Sequence, residues 1–163
     1  MKTILIIRHA KSSWDTATLS DFDRPLNERG KKDAPAMAKR LIQNKVNPEL
    51  FVSSPAKRAK KTAELFIKEF GKNEDEVVFV SELYHAPAQT FYNIIAGFDD
   101  RFNCAAIFSH NPGITEFVNS LTTVRLDNMP TCGIFAFNAL IKKWSDFPGA
   151  KKEFWFFDYP KSA

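Results

Sequence analysis

Apolar runs of strand length alternate with amphipathic helical segments along most of the chain. The runs are continuous, which is typical of strands buried on both faces of a sheet. They lie at residues 4–7, 50–52, 77–80 and 104–108. The helical segments carry apolar residues at three- and four-residue spacing within residues 34–42, 59–70, 91–98 and 114–121. This alternation predicts an α/β fold, a three-layer α/β/α sandwich around a mostly parallel sheet.

The pattern changes after residue 121. Two strand-like segments, 133–140 and 153–158, flank a turn region over residues 144–149. They predict an antiparallel hairpin at the C-terminal edge of the sheet. Because no linker or repeat interrupts the 163 residues, we expect a single domain spanning residues 1–163.

Three polar residues are placed to cap helices. Asn27 precedes the first helical segment, although Pro35 leaves a later start open, with residues 28–32 as a preceding turn. Ser54-Pro55 and Asn111-Pro112 each predict an N-cap followed by proline at the first helical position. Helix N-termini after the second and fourth strands would direct backbone N–H groups to the sheet edge.

Charge and cysteine usage narrow the classes of partner. The net charge of +4 suits an anionic substrate, but the basic cluster over residues 57–61 is typical of a solvated helix face, so we expect no nucleic acid. Cys104 and Cys132 fit no CxxC or metal-binding spacing, and their apolar surroundings favour small buried thiols. The first apolar run is too short for a signal peptide and no run could span a membrane. We therefore expect a cytoplasmic protein without membrane contact.

Polar residues follow each predicted strand at its carboxyl end. They are Arg8 and His9 after the first strand, Ser53, Ser54 and then Arg58 after the second, Glu82 after the third, and Ser109, His110 and Asn111 after the fourth. The carboxyl ends of parallel strands share one edge, which is where ligands bind in open α/β sheets. We therefore expect two arginines, two histidines and one carboxylate to converge.

This set of residues matches the needs of phosphoryl transfer. The transferred group spreads negative charge over three oxygens, so catalysis consists mainly of positioning and charge stabilisation. Arginine pairs with phosphate through a planar fork of donors. A neutral histidine can attack phosphorus and form a covalent phosphohistidine, and nearby arginines lower its pKa and keep it neutral.

Three dispersed motifs resemble those of the histidine phosphatase superfamily, which has the phosphoglycerate mutase-like fold. They are Arg8-His9 after the first strand, Ser53-Ser54-Pro55 followed by Arg58-Ala59-x-x-Thr62-Ala63, and Ser109-His110 at the fourth strand. The short length, the segment Arg24-Pro25-Leu26-Asn27-x-x-Gly30 and the Asn111-Pro112 pair resemble the SixA-type phosphohistidine phosphatases within it. The chain departs from most members by carrying Ala10 where they have glycine.

The resemblance implies a role for each matching residue. It implies that His9 is the nucleophile and that Arg8, Arg58 and His110 complete the phosphate pocket. It also implies that neither a metal nor a cofactor takes part. Many relatives carry a glutamate proton donor after the third strand, where this chain has Glu82, with His85 as a weaker candidate. Asn111 and Ser12 are candidates for substrate contact because each lies close to the pocket along the chain.

These observations predict a metal-independent phosphatase that acts on phosphohistidine in proteins and binds phosphate or its analogues. Only about twenty residues separate Glu82 from the fourth strand, too few for a lid domain, and an open site suits a protein side chain. Two alternatives remain open at this stage. One is a phosphomonoesterase or mutase of small phosphate esters, and the other is a non-catalytic module that binds phosphorylated side chains.

Overall fold

A computed structural model of the chain describes residues 1–15 and 19–162. Its strands are β1 (Lys2–Arg8), β2 (Leu50–Ser53), β3 (Val78–Phe79), β4 (Cys104–Ser109), β5 (Ile134–Ala139) and β6 (Lys152–Asp158). Its α-helices are α1 (Glu28–Gln43), α2 (Lys57–Glu69), α3 (Ala88–Ala96) and α4 (Gly113–Asn119). Short 3₁₀ turns lie at Asp21–Asp23, Glu74–Glu76, Ser81–Leu83 and Trp144–Gly149.

The strands form one sheet in the order β3-β2-β4-β1-β5-β6. Strands β1 to β4 run parallel to their neighbours among themselves, whereas β5 is antiparallel to both β1 and β6. Arg8 is in register with Ser109, so β1 and β4 end level with each other at the carboxyl edge. The predicted mostly parallel sheet with an antiparallel C-terminal edge is therefore confirmed.

The side chains of β1 alternate between two cores, one on each face of the sheet. Ile4 and Ile6 pack in a core that includes residues of α3 and α4, and Leu5 and Ile7 pack in a core built with α1 and α2. All four side chains are fully buried. A central strand that is apolar on both faces thus separates two helical layers, which confirms the three-layer sandwich.

The third strand differs from its prediction. It comprises only Val78 and Phe79, and both side chains are exposed, by 47% and 41%. The reason is its position at the edge of the sheet, where it pairs with β2 alone. The prediction of a buried strand over residues 77–80 was therefore wrong.

The helix starts also differ from prediction in two of three cases. The Asn27 side chain accepts a hydrogen bond from Gly30 N (2.8 Å), and α1 runs unbroken through Pro35, so the early start is confirmed and the later one is wrong. Helix α2 begins at Lys57 and α4 at Gly113, and neither has a side-chain cap. The predicted capping by Ser54 and Asn111 was wrong, because the helices begin one or two residues later and Ala56 and Pro112 occupy the N-cap positions.

Among residues 1–15 and 19–162, no helix combines the length and apolar character needed to cross a bilayer. In the same ranges, no cluster of three or more His, Cys, Asp or Glu side chains is arranged to hold a metal ion.

Candidate active site

A cavity of about 380 Å³ lies at the carboxyl ends of β1, β2 and β4. Six of the seven candidate residues line it, namely Arg8, His9, Ser12, Arg58, His110 and Asn111. The seventh, Glu82, is exposed in the turn Ser81–Leu83 and is not part of the lining. The sheet topology thus brings together side chains that are more than a hundred residues apart in sequence, Arg8 and Asn111.

His9 is held as a neutral ring with one nitrogen free to react. Its side chain is buried, and Nδ1 lies 2.8 Å from the carbonyl oxygen of Ala10. Because a carbonyl oxygen only accepts, Nδ1 donates, which assigns the lone pair to Nε2. Burial lowers the pKa of His9 to about 3, and the charges of Arg58 and Arg8 add to the effect, although the Ala10 hydrogen bond opposes it.

His110 lies beside His9, with the ring centroids 5.2 Å apart. Its Nε2 is 2.8 Å from Ser54 Oγ, which also accepts a hydrogen bond from Ala56 N (3.3 Å). Burial lowers the pKa of His110 to about 2, with smaller contributions from His9 and Arg58. The two rings therefore stand neutral and close together at neutral pH.

The arginines make the cavity cationic. Arg8 Nη1 donates to the Met129 carbonyl (2.9 Å), and burial, followed by the charge of Arg58, lowers the pKa of Arg8. Within the described ranges, Arg8 Nε, Arg58 Nε and His110 Nδ1 are buried and have no hydrogen-bond partner. Among the described residues that line the cavity, four carry positive charge, Arg8, Lys11, Arg24 and Arg58, against the single carboxylate of Asp21. The two buried arginine Nε–H donors and the excess positive charge together favour a bound oxyanion.

Asp21 lines the cavity but is not among the residues that the sequence analysis singled out. Its carboxylate accepts hydrogen bonds from Arg58 Nη2 (3.0 Å), the Tyr84 hydroxyl (2.7 Å) and Arg24 Nε (3.3 Å). Its backbone carbonyl also accepts from Arg58 Nη1 (2.6 Å). Burial alone would raise the pKa of Asp21, but the hydrogen bond from Tyr84 and the charge of Arg58 outweigh it and lower the pKa to about 2. The Asp-x-x-Arg spacing of residues 21 and 24 indicates only the local ion pair with Arg24, not a position in the cavity.

Thr62 joins the end of β1 to helix α2. Its hydroxyl accepts from Ala10 N (3.0 Å) and donates to the Arg58 carbonyl (2.7 Å). Ala10 is fully buried and is not among the residues with a positive φ. An alanine at the position where most relatives have glycine is therefore accommodated without backbone strain.

Gly30 allows α1 to approach the segment that follows His9. A Cβ on Gly30 would collide with the backbone carbonyl of Lys11. The neighbouring bond from Asn27 N to the same carbonyl (3.0 Å) holds the two segments together. This close approach is the structural reason for glycine in the segment over residues 24–30.

The remaining candidates make contacts of different kinds. Ser12 Oγ accepts from Arg24 Nη1 (2.8 Å), so it orients a cationic side chain of the lining. The Asn111 amide nitrogen donates to Asn128 Oδ1 (2.9 Å) and the Met129 carbonyl (3.0 Å), which fixes the loop that also holds Arg8. Of the two proton-donor candidates, His85 is exposed and lines the cavity, whereas Glu82 is not part of the lining.

Comparisons with known proteins agree with this architecture. A sequence profile of the Histidine phosphatase superfamily (branch 1) matches residues 4–84. An uncharacterized chloroplastic protein of Arabidopsis thaliana is 28% identical over 153 residues, 89% of this chain and 70% of that protein. A 2,3-bisphosphoglycerate-dependent phosphoglycerate mutase of Bartonella tribocorum is 30% identical over 79 residues, 47% of this chain but only 38% of the mutase.

Solved structures share the fold over nearly the whole chain. The protein histidine phosphatase SixA complexed with tungstate has a TM-score of 0.82 at 22% identity, covering 97% of each chain. A mycobacterial glucosyl-3-phosphoglycerate phosphatase complexed with inorganic phosphate has a TM-score of 0.70 at 16% identity, covering 99% of this chain and 98% of that one. The solved structures thus share the fold over nearly the whole chain. Residues 4–84, which include Arg8, His9 and Arg58, match the histidine phosphatase superfamily.

Proposed function

We propose that the protein is a phosphatase that works through a covalent phosphohistidine on His9 and that its substrate is phosphohistidine in other proteins. The observation that carries the proposal is the convergence of His9 with Arg8, Arg58 and His110 in one cationic cavity. The neutral His9 ring supplies a lone pair on Nε2, and the arginines supply donors for the phosphoryl oxygens.

In the first step, Nε2 of His9 attacks phosphorus and the bond from phosphorus to the substrate nitrogen breaks. The electron pair of that bond stays on the substrate ring, which leaves as neutral imidazole if its other nitrogen is already protonated. Arg8, Arg58 and His110 hold the phosphoryl oxygens while the phosphoryl group moves from the substrate nitrogen to His9. Because Nδ1 of His9 stays protonated against Ala10, phosphorylated His9 is itself a cationic ring.

In the second step, water attacks phosphorus and the bond to Nε2 breaks. The electron pair returns to Nε2, and inorganic phosphate departs carrying the protons of the water molecule. His9 is thereby restored to its neutral form with Nδ1 protonated. The hydrogen bond to Ala10 therefore serves both steps, because it sets the attacking nitrogen and keeps the phosphorylated ring a good leaving group.

The open end of the cavity supports a protein substrate. Trp14 at its rim is 75% exposed and the exposed His85 lies nearby. Between β3 and β4 the chain forms only the turn Ser81–Leu83 and helix α3, which packs against α4 and the turn Trp144–Gly149. No described residue of α3 lines the cavity. The shared fold with SixA favours phosphohistidine, whereas the shared fold with the mycobacterial phosphatase keeps small esters as the rival substrate.

The test is to compare release of inorganic phosphate from a phosphohistidine-bearing protein and from small phosphate esters, with a chelator present throughout. We expect the wild-type protein to prefer the phosphohistidine protein and His9→Ala to be inactive on both. A much greater activity on a sugar phosphate would overturn the substrate assignment. Binding of the phosphoprotein without any turnover would instead identify a non-catalytic module.

A further inference from the structure

One carboxylate, that of Asp21, stands in a cavity whose other charged side chains, among the described residues, are all cationic. We propose that Asp21 determines the class of leaving group: it accepts a hydrogen bond from the protonated ring of the substrate phosphohistidine and so favours cleavage of a phosphorus–nitrogen bond over an ester bond. This inference rests on the proposed function.

The position of Asp21 places it on the leaving-group side. Both residues line the cavity, but His9 is only 5% exposed, whereas the Asp21 side chain is 45% exposed to solvent. In-line attack by His9 sends the leaving group in the opposite direction, toward the open end. The more weakly engaged oxygen of Asp21 is Oδ1, whose one bond, to Arg24 Nε, is 3.3 Å long. It has lone pairs to spare for a substrate N–H.

Neighbouring side chains fix the Asp21 carboxylate before any substrate arrives. Arg58 and Tyr84 both donate to Oδ2, at 3.0 and 2.7 Å, and Arg24 donates to Oδ1. The Tyr84 ring packs edge-on against Phe22 with their centroids 5.1 Å apart, which holds the hydroxyl in place. The charged or titratable groups that face Asp21 are therefore Arg58 from α2, Tyr84 from the segment after β3, and Arg24 at the end of its own turn. His85 lies next to Tyr84.

The chemistry of the two substrate classes makes this carboxylate selective. A phosphohistidine ring that carries a proton on its second nitrogen leaves as neutral imidazole, and a nearby carboxylate raises the share of that protonated form. An alkyl ester instead leaves as an alkoxide and needs a proton at the moment of cleavage. Asp21 cannot supply that proton near neutral pH, because its pKa is lowered to about 2. The same charge also repels a departing oxyanion.

The test compares Asp21→Asn with wild type on a phosphohistidine protein and on p-nitrophenyl phosphate, whose leaving group needs no proton. We expect kcat/KM for phosphohistidine to fall by about tenfold or more relative to the ester and its pH optimum to move to lower pH, because the substrate ring then protonates only at lower pH. Activity on the ester should stay level or rise. Asp23→Asn is the matched control and should leave both activities as in wild type. Asp23 lies in the same turn, is exposed, and accepts a hydrogen bond from the neighbouring Ser20 hydroxyl.

Tyr84→Phe provides a second test of the inference if Asp21→Asn does not fold. It keeps the carboxylate and removes one donor, so a smaller loss on phosphohistidine alone is expected. Equal losses on both substrates in Asp21→Asn would show that Asp21 merely orients Arg58 and would overturn the inference while leaving the proposed function intact. The inference is also overturned if Glu82→Gln, and not Asp21→Asn, changes the ratio of activity on phosphohistidine to activity on the ester. Wild-type protein that cleaves only the ester would overturn the proposed function and this inference together.

Discussion

Two buried neutral histidines make the stability of this protein depend on pH. The ordinary histidine pKa of 6.5 applies in the unfolded chain, whereas burial lowers it to about 3 for His9 and about 2 for His110 in the folded protein. As the pH falls below about 6.5, each of these histidines takes up a proton in the unfolded chain, whereas in the folded protein it stays neutral until the pH approaches its lowered pKa. Since the unfolded state binds more protons, the free energy of unfolding falls as the pH is lowered.

The size of the effect follows from these pKa values. Between pH 7 and pH 5 each histidine removes about 2 kcal/mol from the free energy of unfolding, so the pair removes about 4 kcal/mol. Asp21 does not contribute over this interval, because its lowered pKa keeps it ionised in the folded protein and its ordinary value of 3.8 lies below pH 5. For a domain whose total stability is of the order of 5–15 kcal/mol, a loss of this size is readily measured.

Urea denaturation at the two pH values is the appropriate assay, on wild type, His9→Gln and His110→Gln. Each variant lacks one of the two rings and should lose only about 2 kcal/mol between pH 7 and pH 5. His85→Gln, which removes an exposed imidazole, is the control and should behave as wild type. If His9→Gln and His110→Gln lose as much stability as wild type, the two rings are not held neutral in the folded protein and the reasoning fails.

Two further substitutions test whether the cavity binds phosphate analogues through Arg58 and whether Thr62 stabilises the end of β1. Arg58→Lys should weaken binding of vanadate about 10- to 100-fold in isothermal titration calorimetry, because a point charge replaces a planar fork of donors. The control is Arg101→Lys, which changes a side chain that is 74% exposed and should bind vanadate as wild type does. Thr62→Val should lower the free energy of unfolding by about 1–3 kcal/mol, because the buried Ala10 N–H loses its partner, and Thr62→Ser should retain most of it. An unchanged vanadate affinity in Arg58→Lys would contradict the role of Arg58 in binding. An unchanged urea midpoint in Thr62→Val would contradict the structural role of Thr62.

The site could be predicted in large part because its residues follow buried strands. The apolar run of β1 ends on Arg8 and His9, and the run of β4 ends near His110, so parallel pairing alone brings them together. Arg58 enters from the first turn of α2, which follows β2. In each case a local pattern fixed the element, and the geometry of a parallel sheet supplied the convergence.

Residues outside this rule could not be located from sequence. Asp21 reaches the cavity through a 3₁₀ turn in a long polar loop, and its partners Arg58 and Tyr84 lie far away along the chain. Glu82 does follow β3, but the turn Ser81–Leu83 leaves it exposed and directs the chain so that Tyr84 bonds Asp21 instead. The exposure of β3 itself depends on its edge position, which only the order of strands in the sheet determines.

The central claim is that His9 carries the phosphoryl group during turnover. The direct measurement is mass spectrometry, without acid treatment, of the enzyme trapped within the first turnover on a phosphohistidine-bearing protein. The account predicts an acid-labile phosphate on His9 that is absent from His9→Ala and disappears as inorganic phosphate is released. Turnover of the substrate with no phosphate on His9, or with His9→Ala still active, would contradict the account.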